Sequence, residues 1–296
     1  MWNQESACVN RLPTFTIAVM MESISIVTPS YNQSAYLERT IQSVLDQNYP
    51  HLEYIIIDGG STDGSVDIIR KYEKHLAYWV SEKDRGQTHA LNKGFMRATG
   101  KIVGWVNSDD MYCPGSFQKA ADAFAQNPEL GLVYGDLLIV DKDDKILRPL
   151  KSPYWWPAHV MLGMTLQPAA FWKRSLFEQF GLLDERLRFA MDYEFFCRAG
   201  KDIASKYLPV NIVCFRSHPD QKTETLQKVC MEETSRIRQQ YARAACGIFP
   251  ERIFLGICNL HKGAWHLYHG DFAYLRRRIH QGAKKVFAQN QKWVEH

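Results

Sequence analysis

The first half of the chain alternates short apolar runs with stretches whose apolar residues recur every three or four positions. The apolar runs are rich in β-branched residues, which is typical of strands, and the stretches that follow them have the period of a helix. Strands that alternate with helices predict a parallel sheet with right-handed crossovers, and therefore an α/β fold. The predicted strands are residues 23–28, 54–57, 78–80 and 102–106.

After residue 110 the pattern changes, and the next two strands are predicted to be antiparallel. They flank a turn at residues 141–144 that consists of aspartate and lysine. Farther on, we predict strands at 166–172 and 212–217, and helical sequence from residue 223 onward.

Three prolines surround Trp155 and Trp156, and this pattern predicts a rigid aromatic loop. Aromatic faces on loops stack on sugar rings or nucleobases, but a tryptophan pair fixed by prolines also serves as a packing plug. The sequence leaves both roles open.

Polar side chains occur where the predicted parallel strands end. In open α/β sheets, ligands bind outside the carboxyl ends of the strands, so residues that are distant in sequence meet at one crevice. The strand-end residues are Thr28, Tyr31, Asp58, Arg85, Asp109 and Asp110.

Asp109 and Asp110 directly follow an apolar strand that ends in Asn107 and Ser108. Adjacent carboxylates repel each other, so a fold that places both at the end of a core strand favours a cation beside them. The alternative is that they cap the following turn, where aspartate is common.

Asp192 lies where a helix is predicted to begin. The helix dipole and the free amides stabilise an ionised carboxylate there, so Asp192 is either a structural cap or a general base. Glu194 is two residues away and points to a different helix face, so only one of the two can address the crevice. His218 follows the last predicted strand and is a weak metal candidate by itself.

Composition narrows the class of protein. With 296 residues and 46% hydrophobic content the chain can form a full core, and its net charge of +4 suits an anionic ligand better than a nucleic acid. Seven cysteines without a C-x-x-C pair predict neither a disulfide framework nor a zinc site. We find neither a signal-peptide pattern nor a bilayer-spanning apolar stretch, and so expect a cytoplasmic protein.

The C-terminal region is basic and amphipathic, with residues 276–278 all arginine and with apolar residues such as Phe287 and Trp293 beyond them. Such a segment either lies on an anionic membrane, as a peripheral contact at its inner face, or packs on the main domain as a solvated helix. Both readings stay open.

Four segments of the chain resemble the inverting glycosyltransferases of family 2, and they occur in the expected order. The resemblance implies the GT-A fold, a Rossmann-like, mostly parallel sheet that binds nucleotide-diphospho-sugars. It divides the chain into a loose extension (1–21), a GT-A domain (22–220) and a helical, basic C-terminal region (221–296). The matching segments are SIVTPSYNQSAYLERTIQSVLDQNYP, YIIIDGGSTDGS, DRGQTHALNKGFMRATGKIVGWVNSDD and AMDYEFFCRA.

The resemblance also implies which residues bind the donor. Thr28, Pro29 and Tyr31 would form the wall of the nucleotide pocket. Asp58 would form a hydrogen bond with the base, and Arg85 would line the diphosphate region. Asp109 would contact the ribose or the sugar. The implied donor-binding residues are Thr28, Pro29, Tyr31, Asp58, Arg85, Asn107 and Asp109.

For the chemistry, Asp110 resembles the metal-binding end of the family's D-x-D motif, and the metal would be Mn²⁺ or Mg²⁺. His218 lies where members place a further contact to the metal or the diphosphate. Asp192 matches the catalytic base. The chain departs from the family at Gly59 and His89, where acidic residues are common, and Met191 stands where glutamate is common.

The resemblance therefore implies a metal-dependent, inverting hexosyl- or N-acetylhexosaminyltransferase. It would move a sugar, most commonly from a UDP-sugar, to a hydroxyl of a glycan or lipid-linked acceptor in cell-surface polysaccharide synthesis. One alternative is a catalytically weak, donor-binding partner subunit of a glycan-assembly complex. Another is a sugar-phosphate nucleotidyltransferase, although the first strand is followed by TPSYNQ rather than a glycine-rich loop with arginine. A dinucleotide dehydrogenase is excluded, because G-x-G-x-x-G is missing there.

Overall fold

The computed structural model describes residues 22–151, 153–163 and 167–278, which form one mixed sheet with helices on both faces. The strands are β1 (Ile24–Ser30), β2 (Leu52–Asp58), β3 (Tyr78–Ser81), β4 (Ile102–Trp105), β5 (Met111–Tyr112), β6 (Leu130–Val140), β7 (Ile146–Leu150), β8 (Ala170–Lys173) and β9 (Ala204–Arg216). The helices are α1 (Ser34–Leu45), α2 (Ser65–Tyr72), α3 (Gln87–Arg97), α4 (Ser116–Gln126), α5 (Trp156–Leu162), α6 (Ser175–Phe180), α7 (Met191–Ala199), α8 (Lys222–Thr225), α9 (Gln227–Cys246) and α10 (Glu251–Tyr268).

The strand order is β3-β2-β1-β4-β8-β6-β9-β5, with β7 paired to β6. Strands β3, β2, β1 and β4 are parallel neighbours, which confirms the predicted α/β fold. Ser30 of β1 is level with Asp58 of β2, and Asp58 is level with Ser81 of β3. The carboxyl ends of these strands therefore form one edge, which we call the strand-end edge.

The second half of the sheet is mixed. Strands β6 and β7 are antiparallel around the predicted turn, as expected, whereas β6 and β9 run parallel. Strand β9 begins at Ala204, well before the predicted start at residue 212. The prediction missed its first half because that half contains polar residues and Pro209 and lacks a strand pattern. Strand β8 is limited to Ala170–Lys173, since Pro168 has no N–H to donate to a ladder.

The apolar core lies on both faces of the sheet, because alternate residues of a strand point to opposite sides. One cluster contains Ile26 and packs under α1, α2 and α4. The other contains Val27 and Trp105 and packs under α3, α5 and α7. Ile237 of α9 and Phe254 of α10 belong to this second cluster, so the C-terminal helices complete the core of the sheet.

The predicted aromatic loop is instead the start of helix α5. Trp156 begins the helix, with Pro157 in its first turn, a position where proline needs no N–H partner. The buried Trp156 indole N–H donates to the carbonyl of Cys197 at 2.9 Å. The structure therefore assigns Trp156 to packing rather than to stacking on a ligand.

Among the described residues, none of the helices is both long enough and apolar enough to cross a bilayer. The predicted N-terminal extension (1–21) and the distal membrane-contact residues Phe287 and Trp293 lie outside the described residues.

Candidate active site

The loops that follow β1 and β2 are joined to each other by hydrogen bonds. The Thr62 N–H donates to the side-chain oxygen of Asn32 at 2.9 Å. The Ser34 N–H donates to the carboxylate of Asp63 at 2.8 Å. These bonds fix two neighbouring loops of the strand-end edge against each other.

Asp58 organises the loop after β2 from a fully buried position. Its carboxylate accepts the N–H of Gly60 at 3.1 Å, the N–H of Ser61 at 2.8 Å and the hydroxyl of Ser81 at 2.7 Å. These bonds hold the backbone over which a base would lie. The expected bond from Asp58 itself to the base would have to share an oxygen that already accepts a protein donor.

The three residues expected to wall the nucleotide pocket differ in exposure. The buried Thr28 hydroxyl shares a hydrogen bond with the Tyr54 hydroxyl at 3.1 Å, and Pro29 is buried as well. Tyr31 is 62% exposed. Tyr31 is thus the one of the three whose side chain is exposed to solvent, and its role in binding stays a prediction.

Arg85 lies on the loop between β3 and α3 and forms an ion pair with Glu185 at 2.5 Å. The neighbouring Asp84 lies close to Gly59, where the chain departs from the family. A Cβ atom added at Gly59 would lie 2.8 Å from a carboxylate oxygen of Asp84, so a larger residue at position 59 would require the Asp84 side chain to move.

Asp109 and His218 lie side by side at the strand-end edge. Asp109 Oδ2 is 3.1 Å from His218 Nε2, and the His218 ring is 4.9 Å from the Tyr36 ring. Divalent cations bind oxygen or nitrogen ligands at about 2.1 Å, so two ligands at a right angle are about 3.0 Å apart. The separation therefore fits a hydrogen bond and also two ligands of one cation.

Asp110 has a different environment from its neighbour, although the D-x-D resemblance points to Asp110 as the metal ligand. Its side chain is 1% exposed, and its oxygens accept the Arg216 N–H at 2.9 Å and the Asn107 amide at 3.2 Å. Burial, and next the charge of Asp109, raise the pKa of Asp110 well above its usual range. Asp110 thus braces β9 from inside the protein, and the structure brings His218 to Asp109 instead.

Arg216, the last residue of β9, is a site residue that no motif singles out. Its buried guanidinium donates to the backbone carbonyls of Asp109 at 2.8 Å and Asp141 at 3.1 Å, and it pairs with Asp144 at 2.5 Å. It also lies 4.7 Å from the ring centre of Tyr36, a cation–π distance. Arg216 therefore fixes the Asp109 backbone. The sequence signal that could have identified Arg216 is its position at the end of a predicted strand, two residues before His218.

Asp192 is the second residue of α7, as predicted. Its Oδ1 accepts the Tyr193 N–H at 2.7 Å. Burial raises the pKa of Asp192 to about 6, although the backbone amide and the positive charge of Lys222 act in the opposite direction. The carboxyl group is therefore ready to gain or lose a proton near neutral pH.

A chain of hydrogen bonds runs from the strand-end edge toward the segment before Asp192. The Gln87 amide donates to Asn107 at 2.7 Å, and Lys222 Nζ donates to Gln87 at 2.6 Å and to the Arg188 carbonyl at 2.9 Å. Burial lowers the pKa of Lys222 to about 8. Lys222, which no sequence motif indicates, thus links the two parts of the site.

The family described as glycosyl transferase family 2 has a model that matches residues 25–184 of this chain. TuaG of Bacillus subtilis, assigned provisionally as a teichuronic acid biosynthesis glycosyltransferase, is 44% identical over 101 residues. This match covers 32% of the chain and 39% of TuaG, so the chain spans less than half of that relative's length.

Two solved structures share the fold. TarS of S. aureus, in complex with UDP-GlcNAc, has a TM-score of 0.56 at 18% identity, over 74% of this chain and 71% of that one. A mannosyltransferase from Pyrobaculum calidifontis, in complex with GDP-Man and Mn²⁺, has a TM-score of 0.51 at 18% identity, over 83% and 81%. At these identities the likeness supports the fold alone.

Proposed function

Because the chain belongs to glycosyl transferase family 2, we propose that it transfers a sugar, with inversion, from a nucleoside diphosphate sugar to a hydroxyl group of a glycan or lipid-linked acceptor. The UDP-GlcNAc complex of TarS supports a UDP-sugar donor, and the assignment of TuaG supports a role in cell-surface polysaccharide synthesis.

The observation that carries this proposal is the state of Asp192. A general base works best when its pKa lies near the working pH, because it is then largely ionised yet still basic. Burial raises the pKa of Asp192 to about 6, which satisfies both conditions near pH 7.

In the reaction, the acceptor hydroxyl gives its proton to Asp192 while its oxygen attacks the anomeric carbon. The bond to the nucleoside diphosphate breaks on the opposite face, so the configuration inverts. Because negative charge grows on the departing diphosphate, donors near it lower the barrier. We assign this role to Lys222, because it lies on the hydrogen-bonded path from Asn107 toward the base.

The residues present fit a divalent cation, Mn²⁺ or Mg²⁺, through Asp109 and His218. Their ligand atoms are 3.1 Å apart, and no group of three or more His, Cys, Asp or Glu side chains suited to a metal occurs in the described ranges. The donor phosphates and water would supply the remaining ligands, as is usual for Mg²⁺. When bound, the ion neutralises charge on the diphosphate. The Mn²⁺ in the complex of the Pyrobaculum mannosyltransferase supports the use of a divalent cation, and the choice of Asp109 and His218 rests on their geometry in this chain.

The first test replaces the base. Asp192→Asn keeps the shape of the side chain but removes its basicity, so we expect UDP release from UDP-GlcNAc, with water as acceptor, to fall by about 10²–10⁴-fold. The affinity for UDP-GlcNAc, measured by calorimetry, should change by less than about twofold. The contacts that bind the donor equally in the ground state and in the transition state remain. Asp67→Asn, which changes a solvent-exposed side chain in the first turn of helix α2, is the matched control and should leave both unchanged. Wild-type turnover by Asp192→Asn would reject Asp192 as the base.

The second test separates Asp109 from Asp110. We expect Asp109→Asn and His218→Ala to remove the gain in UDP-GlcNAc affinity that Mn²⁺ provides, a loss of about tenfold or more. Asp110→Asn should lower stability, since its amide would face the Asn107 amide, but should keep the Mn²⁺ dependence. The measurement is calorimetry with and without Mn²⁺. The reverse result would support Asp110 as the ligand, as the family resemblance implies.

A further inference from the structure

The segment before helix α7 is held by a residue of another helix. The backbone N–H groups of Arg188, Phe189 and Ala190 all donate to the carboxylate of Glu233, at 2.8, 3.0 and 2.9 Å. The residue before α7, Ala190, makes no side-chain cap bond to this helix start. The three amides are therefore bound by Glu233, which lies on α9.

Glu233 is suited to this task because it is 8% exposed and both of its carboxylate oxygens are used. Hydrogen bonds to an ionised acceptor are shorter and stronger than those between neutral groups. Three such bonds from consecutive amides fix the orientation of three consecutive peptide planes.

The same segment is also held from its other side. Lys222 Nζ donates to the Arg188 carbonyl at 2.9 Å, while the Arg188 N–H donates to Glu233. Residues 188–190 therefore lie between a cation and an anion that both come from the region after the sheet. Asp192 follows Ala190 by two residues, so the position of its carboxylate depends on this segment.

We propose that Glu233 is a positioning residue for the reaction, which holds residues 188–190 so that the Asp192 carboxylate reaches the acceptor hydroxyl. This inference rests on the proposed role of Asp192. Errors of about 1 Å in the placement of a catalytic group can cost about 10²-fold in rate. The simpler alternative is that Glu233 only stabilises the helix start.

The test begins with Glu233→Gln, which keeps the size of the side chain but turns its NH₂ group toward at least one of the three N–H donors. We expect kcat for UDP release from UDP-GlcNAc to fall by about tenfold or more, with KM and calorimetric affinity within about twofold of wild type.

A double-mutant cycle with Asp192→Asn then distinguishes positioning from stability. If Glu233 acts through Asp192, Glu233→Gln should cause less than about a twofold further loss in the Asp192→Asn background. An equal loss in both backgrounds, or no loss in either, would overturn the inference. If Glu233→Gln does not fold, the cycle uses Glu233→Asp, which keeps the charge on a shorter side chain.

A matched control is Glu53→Gln at the opposite end of the sheet. The Glu53 carboxylate also accepts a backbone N–H, from Thr99 at 2.7 Å, together with the Ser25 hydroxyl. Glu53→Gln should lower Tm without changing kcat. Glu233→Gln should lower kcat even where its Tm is comparable to that of Glu53→Gln. Full turnover by Asp192→Asn alone would instead refute the proposed base, so the two failures are distinguishable.

Discussion

At the scale of single residues, His159 is an unusual part of the core. It lies fully buried on α5, with its ring within 5.1–5.6 Å of the rings of Tyr154, Tyr193 and Phe196. Burial lowers the pKa of His159 to about 3. The folded protein therefore keeps this histidine neutral, whereas the unfolded chain protonates it below about pH 6.5.

This difference predicts how stability changes with pH. Because the unfolded state binds the extra proton, the His159 contribution is fully present above pH 6.5 and is lost as the pH falls toward 3. Between pH 7.5 and 5.5 the loss should be about 1.4 kcal/mol. Urea unfolding at both pH values should show a loss that is larger in wild type than in His159→Leu by this amount. Equal pH dependence in both proteins would contradict the prediction.

The carboxylates show what residue-level prediction can achieve. Asp109, Asp110 and Asp192 are all recognisable from their positions after a strand or at a helix start. The different environments of Asp109 and Asp110 are not predictable locally, because they depend on an N–H of Arg216 that lies 106 residues away from Asp110. Neither Lys222 nor Glu233 follows any spacing rule, since both act on the backbone of a distant segment.

At the scale of elements, α3 packs unusually close to β1. Gly94 faces Val27, and a Cβ atom at position 94 would lie 2.3 Å from Val27 Cγ1. The close approach allows α3 to cover the parallel strands that lead to the strand-end edge. A larger residue would push the helix away from the sheet.

We therefore expect Gly94→Ala to lower the free energy of unfolding by about 1–3 kcal/mol, because overpacking outweighs the better helix propensity of alanine. Gly256→Ala on α10 is the control, since nothing lies within 4 Å of the added Cβ atom. That variant should gain up to about 1 kcal/mol from propensity alone. Urea unfolding measures both, and a stabilised Gly94→Ala would refute the packing argument.

Elements with a strong period were predictable, and the others were not. The strands β1, β2 and β4 and the helices α1 and α4 follow directly from their apolar patterns. Strand β5 has only two residues, and the first half of β9 is polar, so their pairing with distant strands is what makes them strands. Helix α5 was not predicted because of Pro157, which occupies a permitted position in its first turn.

At the scale of the whole molecule, the part that matches the family model does not include all of the candidate site. The match ends at residue 184, before Asp192, His218 and Glu233. Ile237 and Phe254, from the helices that follow the sheet, lie in the same apolar cluster as Trp105. The sequence predicted a helical C-terminal region, but its packing against α5 and α7 depends on tertiary contacts that no local pattern encodes.

The hold of Glu233 on residues 188–190 has a consequence for the order in which the chain is synthesised. N-terminal segments emerge from the ribosome first and fold first. A nascent chain that has passed His218 but not Glu233 contains every strand of the sheet and the Asp109–His218 pair, while the segment before Asp192 lacks its anchor. A product that stalls at this length also lacks the core residues Ile237 and Phe254, and it is expected not to transfer a sugar.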